Sequence, residues 1–240
     1  MNKRKPHAIL ETSSRVVKAR KIELILASHI SVQNCKILEI GCGSGVISNY
    51  FSKLGNDVHA VDVIDQRTIK EGYAYTQVSG VILPFDDNTF DIVITNHVIE
   101  HVGESDNQNL HLDEIKRVLK PNGVGYLAVP NKWSLFESHY KLPLLSWLPR
   151  RIADFIVSLL KKNTYYDCYP LSIKELKMML NLKSLEFENN TLKSLKLMIS
   201  IESNNFLMQS ASLLPDSILR LFLPIVPTIS IIFKAKTKPN

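Results

Sequence analysis

The chain has 240 residues, 45% of them apolar, which suits one sizeable α/β domain with a modest insertion and leaves too little for a second independent domain. Three cysteines without a C-x-x-C spacing argue against a disulfide framework or a zinc site and make the cytoplasm the expected compartment. The formal net charge of +6 is carried by residues 1–21, where seven basic side chains face one acidic; no continuous apolar run follows to make a signal peptide.

That basic cluster reads either as the solvated face of a helix or as a contact for nucleic acid or an anionic membrane. Residues 1–30 form a helical extension in this reading, with a helix from Ser13 to Ser28 capped by Ser13 or Ser14. The short apolar run Lys36–Ile40 ends in glycine and so reads as a buried parallel strand. Gly41, Gly43 and Gly45 make the turn after it, and Val46–Leu54 keeps helical apolar spacing until Gly55 stops it. Strand, glycine turn and helix N-terminus together make a nucleotide cradle. Glycine lacks a Cβ, so a ligand can approach the backbone, and helix N-termini favour electron-rich groups. The dinucleotide fingerprint G-x-G-x-x-G needs a glycine at position 46, where this chain has Val46, which argues against NAD or FAD.

Asp57–Val63 alternates as a half-buried strand does and puts Asp62 at its carboxyl end, where a carboxylate can accept hydrogen bonds from both hydroxyls of a ribose. Strands near 75–78, 91–95 and 123–129 follow, with helices near 66–72 and 106–119, and Pro121-Asn122-Gly123 turns the chain into the fifth strand. This alternation implies a parallel sheet with right-handed crossovers. Past Asn131 the pattern changes: Trp133, Phe136, His139, Tyr140 and Trp147 crowd together, with Pro143 and Pro149 interrupting any long helix. Residues 131–170 therefore read as an insertion, either a lid that meets an organic substrate or a helical layer buried on the sheet. A helix over 172–180 capped by Ser172 and strands near 184–188 and 228–234 complete the pattern. Phe206–Leu223 is apolar but broken by Pro215, Asp216 and Arg220, too interrupted to span a bilayer; it suits a core-covering helix, a membrane interface or a dimer face.

In four ordered segments the residues resemble the class I S-adenosylmethionine-dependent methyltransferases. Leu38-Glu-Ile-Gly-Cys-Gly-Ser-Gly45 resembles their first motif and Val61-Asp62 the acidic end of their second strand. Leu83–His101 is similar to the stretch before and along the fourth strand, and Glu114–Gly123 to the helix and turn before the fifth. The likeness covers roughly residues 36–131 and is nearest to the branch of quinone-biosynthesis and other small-molecule enzymes. It implies a single Rossmann-like, doubly wound domain over 1–240: a seven-stranded sheet with its last strand antiparallel, helices on both faces and a small helical insertion after the fifth strand.

The resemblance also implies a cofactor site for S-adenosylmethionine at Glu39, Gly41, Cys42, Gly43, Gly45, Asp62, Val63, Asn96 and His97. Where family members often carry an acidic residue for the adenine amino group, this chain runs Gln77–Ile82 without one, which leaves the adenine edge to backbone groups of Val81 and Ile82. The family has no fixed catalytic residue to carry over. His97, after the fourth strand, and His139, in the insertion, are the candidate general bases, each with a local structural role as its alternative. His101, four residues after His97, should share its helical face and look structural. No metal site is expected, since no i, i+4 ligand pair has a third partner. Asn96-His-Val-Ile99 replaces the Asn/Asp-Pro-Pro-aromatic tetrad of amino-methylating DNA enzymes, and no Pro-Cys dipeptide occurs. The expected acceptor is a small or lipid-linked molecule, not nucleic acid. The alternative is a non-catalytic cofactor-binding protein that engages a membrane or a protein partner; histidines turned away from the site would favour it.

Overall fold

The computed structural model describes residues 12–202, 210 and 214–235. Seven strands, β1 (Lys36–Ile40), β2 (Asp57–Asp62), β3 (Ala74–Gln77), β4 (Phe90–Asn96), β5 (Leu119–Pro130), β6 (Leu185–Asn189) and β7 (Thr228–Ala235), form one sheet in the order β3-β2-β1-β4-β5-β7-β6. The first five are parallel, and β7 runs antiparallel to both β5 and β6. The expected doubly wound sheet with an antiparallel last strand is therefore present.

Strand residues alternate between two apolar layers because successive side chains point to opposite faces. Ile37, Ile92 and Ile94 pack with Ala19, Ile22, Ile25 and Phe51, the apolar side of helices α1 (Thr12–Leu26) and α2 (Val46–Lys53). Leu38, Val93 and Leu127 pack on the other face with Leu112, Ile115, Leu176 and Leu180 from α3 (Ser105–Val118) and α5 (Ile173–Leu182). Ser172 caps α5 as the sequence suggests: its hydroxyl accepts from the Glu175 N–H while the Glu175 carboxylate accepts from the Ser172 N–H, a closed capping box. Helix α4 (Arg150–Leu159) lies in the insertion, and α6 (Thr191–Leu197) and α7 (Asp216–Phe222) precede β7.

Two expectations fail locally. No helix forms over 66–72, because the groups that would close its turns bond elsewhere: the Thr68 and Ile69 N–H groups donate to the Ser44 carbonyl, and the Glu71 carbonyl accepts from the Asn49 amide. The segment instead braces the glycine turn. The Pro121-Asn122-Gly123 turn is absorbed into β5, which starts at Leu119 opposite Phe90 and slips register before Ile92 pairs with Val124. Lys3, Arg4 and Lys5 of the basic cluster and residues 206–209 and 211–213 of the apolar C-terminal stretch lie outside the described residues. Among the described residues no helix is long and apolar enough to cross a membrane.

Candidate functional site

Chain order in the sheet reverses between β1 and β4, and ligands of open α/β sheets bind at that place, beyond the carboxyl ends of the strands. A cavity of ≈ 740 Å³ opens there, within the usual range for a small-molecule site. Its near end is the glycine turn. Gly41 has φ +72°, and a Cβ there would fall 2.4 Å from Val98 Cγ2; Gly45 has φ +77°, and a Cβ would fall 2.3 Å from the Ile69 carbonyl oxygen. Both positions thus require glycine for conformation and for space. Asp62, at the end of β2, ties this turn down: its carboxylate accepts from the Gly43 N–H at 2.8 Å and from the Val63 N–H at 2.7 Å. A carboxylate has about four lone-pair directions, so it keeps capacity for the hydroxyls of a ligand.

Of the residues expected to meet a cofactor, Gly41, Gly43, Asp62, Val63, Val81, Asn96 and His97 line the cavity. Glu39, Cys42, Gly45 and Ile82 do not. Glu39 is buried beneath the turn and takes the Ser48 hydroxyl, and burial pushes its carboxyl up to about 8. Cys42 is buried as well, and the same loss of hydration pushes its thiol up. Ile82 points outward and is exposed; its neighbours Val81 and Leu83 form the wall.

Sequence reasoning took the basic N-terminal helix as a solvated face or an outer contact, yet Arg15 and Lys18 of α1 reach into this cavity. Desolvation lowers the pKa of the Arg15 guanidinium, against the attraction of Glu39. A signal was available. Buried Ala19, Ile22, Ile25 and Leu26 mark the side of α1 that faces the domain, and Arg15 and Lys18 each stand four residues before one of them, Ala19 and Ile22, on that same side.

The far end holds a cluster the sequence only half revealed. His97 lies in the left-handed region at φ 59°, so no helix runs through 97–101, only a 3-10 turn over Ile99–His101. The shared helical face expected of His97 and His101 does not exist. Instead, histidines from three places converge on the fully buried Glu100: His139 Nε2 stands 3.1 Å from its Oε1, His97 Nδ1 3.4 Å and His101 Nε2 3.9 Å. The Tyr169 N–H donates to the Glu100 carbonyl at 2.7 Å, which binds this turn to the end of the insertion. Burial opposes ionisation of Glu100, but hydrogen bonds from His139 and His97 outweigh it and hold the carboxyl well below the usual range. Burial likewise pulls against the charge on His139, yet Glu100 raises its pKa above the ordinary value, while His97 is pushed down to about 4. Among the described residues Glu100 Oε2 has no hydrogen-bond partner.

Helical spacing gave no metal ligands, but the fold assembles donors without it. His97, Glu100 and His139, and likewise His101, His139 and Cys168, each bring three donor atoms within 4.8 Å of one another.

His111, which lines the same cavity, sits nearly hidden with Nε2 3.1 Å from Thr95 Oγ1, and burial pushes it down to about 4 from 6.5. Its unfolded form protonates as pH falls through 6.5 while the folded form stays neutral, so stability present above 6.5 is lost on the way to about 4. The expected loss is roughly 3 kcal/mol. A Tm series for the protein and for His111→Gln should show the wild-type advantage narrowing as the solution is acidified across that window. A gap that stays constant contradicts the assignment.

Residues 38–127 match the family described as a methyltransferase domain. The ubiquinone biosynthesis O-methyltransferase of Rickettsia canadensis is 27% identical over 174 residues, covering 65% of this chain and 70% of its own length. Among solved structures, SAM-dependent methyltransferases from Methanosarcina mazei superpose with a TM-score of 0.56 at 19% identity, over 89% of this chain and 98% of theirs. The magnesium protoporphyrin IX methyltransferase of Synechocystis with bound SAH has a TM-score of 0.55 at 8% identity, over 93% of this chain and 84% of its own. Fold, glycine cradle and family match are those seen in class I methyltransferases. The chain resembles the S-adenosylmethionine-dependent methyltransferases of the kind that includes the quinone-biosynthesis enzymes, and its residues 38–127 match a methyltransferase domain.

Proposed function

We propose that the protein transfers the methyl group of S-adenosylmethionine to a hydroxyl of a small organic acceptor. The observation that carries this reading is one continuous cavity with Asp62 and the glycine turn at one end and Asn96, His97 and His139 at the other. The dimensions suit the cofactor: ≈ 740 Å³, a backbone cradle without side chains at Gly41 and Gly43, and a carboxylate with spare acceptor capacity. Asp62 takes the ribose hydroxyls, the backbone at Val81 the adenine edge, and Arg15 with Lys18 the carboxylate of the methionine end. S-adenosylmethionine supplies an electrophilic methyl on a sulfonium, and charge is neutralised as it leaves, so alignment of nucleophile, methyl and sulfur is the protein's main task. Positioning of this kind contributes on the order of 7–11 kcal/mol.

The acceptor proton goes to His97. With Nδ1 turned to Glu100, the neutral ring leaves Nε2 as the proton acceptor, and burial keeps it neutral at working pH. Nε2 stands 3.5 Å from Thr228 Oγ1, within reach of the cavity. His139 balances the charge of Glu100 from the insertion side, and the insertion forms the lid of the site. The choice of oxygen as acceptor atom follows the O-methyltransferases among the relatives. A non-catalytic cofactor-binding role fits less well, because His97 and His139 line the cavity and do not turn away from it.

The test is transfer of label from methyl-labelled S-adenosylmethionine to matched phenol, amine and carboxylate acceptors, with product identification. Label in the aryl ether is the expected result. Label confined to amines or carboxylates overturns the acceptor assignment.

A further inference from the structure

The part of the insertion that meets the cavity is a turn held more tightly than a connecting loop needs. The Glu137 N–H donates to the Leu142 carbonyl and the Lys141 N–H to the Glu137 carbonyl, each at 2.9 Å, so residues 137–142 close on themselves. The buried Glu137 carboxylate braces the turn from inside by accepting the His139 N–H at 2.8 Å and the Tyr140 N–H. Lys141 is held in the left-handed region at φ 54°, a strained conformation for a residue with a Cβ that persists only where the surroundings enforce it. Ser138, His139 and Lys141 of this turn line the cavity, and the His139 ring lies 5.9 Å from that of His97. The turn stands at the acceptor end.

Two groups on this turn are left unsatisfied. Ser138 Oγ is hidden from solvent and has no hydrogen-bond partner among the described residues, a cost that a bound ligand can remove. Other cations of the insertion are engaged: Lys132 by Glu175, Arg150 by the Cys168 carbonyl and Lys162 by the Tyr140 carbonyl. No carboxylate meets the Lys141 ammonium among the described residues. The charge of the whole cavity points the same way. Arg15, Lys18 and Lys141 line it against Asp62 and Asp167, while His139 is balanced by Glu100. S-adenosylmethionine brings a carboxylate, an ammonium and a sulfonium, so binding it adds to the positive excess. A neutral acceptor leaves that excess uncompensated in a partly desolvated site, and an anionic one cancels it.

We propose that the 137–142 turn is an anion subsite, in which Lys141 and the Ser138 hydroxyl hold a carboxylate or phosphate carried by the acceptor apart from the hydroxyl that is methylated. The inference rests on the reading of this cavity as the acceptor site for methyl transfer, and it narrows the substrate to acidic molecules. The Ser138 hydroxyl donates to the anion and the Lys141 ammonium neutralises it, which fixes one end of the acceptor while His97 meets the other. Neither residue takes the proton, so their contribution falls on acceptor binding.

Calorimetry separates this binding from the chemistry. The full chain saturated with S-adenosylhomocysteine, the product form of the cofactor, is titrated with 4-hydroxyphenylacetate, its methyl ester and 4-hydroxyphenyl phosphate. At least one of the two anions should bind about tenfold tighter than the ester, the worth of a charged hydrogen bond, and their comparison tells carboxylate from phosphate. Lys141→Gln should remove the preference, Lys141→Arg should keep most of it, and Ser138→Ala should weaken the anion about threefold. Affinity for the ester and for S-adenosylhomocysteine should stay unchanged in all three variants, which shows that they fold. Transfer of labelled methyl to the same probes reads the function separately: an anion preference without transfer supports the subsite and counts against the proposed reaction, and transfer without the preference does the reverse. Anions that bind no better than the ester, a preference that survives Lys141→Gln, or a loss in that variant that extends equally to the ester would each overturn the proposal.

Discussion

Glu100→Ala should destabilise the protein by about 3–5 kcal/mol, the usual consequence of removing one member of a buried charged pair. The carboxylate is fully buried, and histidines from the β4 end and from the insertion reach its Oε1 at 3.4 and 3.1 Å respectively. Losing it leaves His139 in a desolvated site without its principal partner. Glu100→Gln keeps the volume and removes the charge, so the His139 pKa, now above the ordinary value because of Glu100, should fall below it. Urea unfolding of the alanine variant and NMR titration of the His139 ring in the glutamine variant measure the two effects. A loss under about 1 kcal/mol, the range of an exposed pair, would contradict the central place given to this residue.

His97→Asn should lower kcat by about 10²–10⁴, the range typical of a lost general base, while KM for S-adenosylmethionine changes little. His139→Gln should cost less in kcat and should shift the pH profile instead, since His139 acts through Glu100. The reason is geometric. His97 follows β4 directly in a left-handed conformation at φ 59°, which turns the ring into the cavity with Nδ1 on Glu100. Steady-state kinetics of the two variants across pH separates the roles. A His97→Asn enzyme with unaltered kcat would remove His97 from the chemistry.

The sheet was legible because its signals are local and repeated. Alternating apolar residues in β1, β2 and β4 each point to one of two cores, and the glycines after β1 sit where positive φ and close packing leave no other choice. The 66–72 segment departs from its pattern for the opposite reason: the spacing permits a helix, but its hydrogen bonds go to Ser44 and Asn49 on a distant part of the chain. Nor could spacing show the Glu100 cluster. Spacing makes His97 and His101 neighbours along a helix, whereas the backbone bends at His97 and a third histidine arrives from 39 residues beyond Glu100. Arg15 and Lys18 were hidden by composition, since a run of cations resembles solvated surface until the buried side of α1 is counted.

The central claim, that Asp62 and the glycine turn hold S-adenosylmethionine, is most directly tested by titration calorimetry of the protein and of Asp62→Ala with S-adenosylmethionine and with NAD. The prediction is binding of S-adenosylmethionine alone, weakened about 10–100-fold in the variant by the loss of a charged hydrogen-bond acceptor. Equal affinity in both proteins, or heat from NAD with none from S-adenosylmethionine, would contradict it.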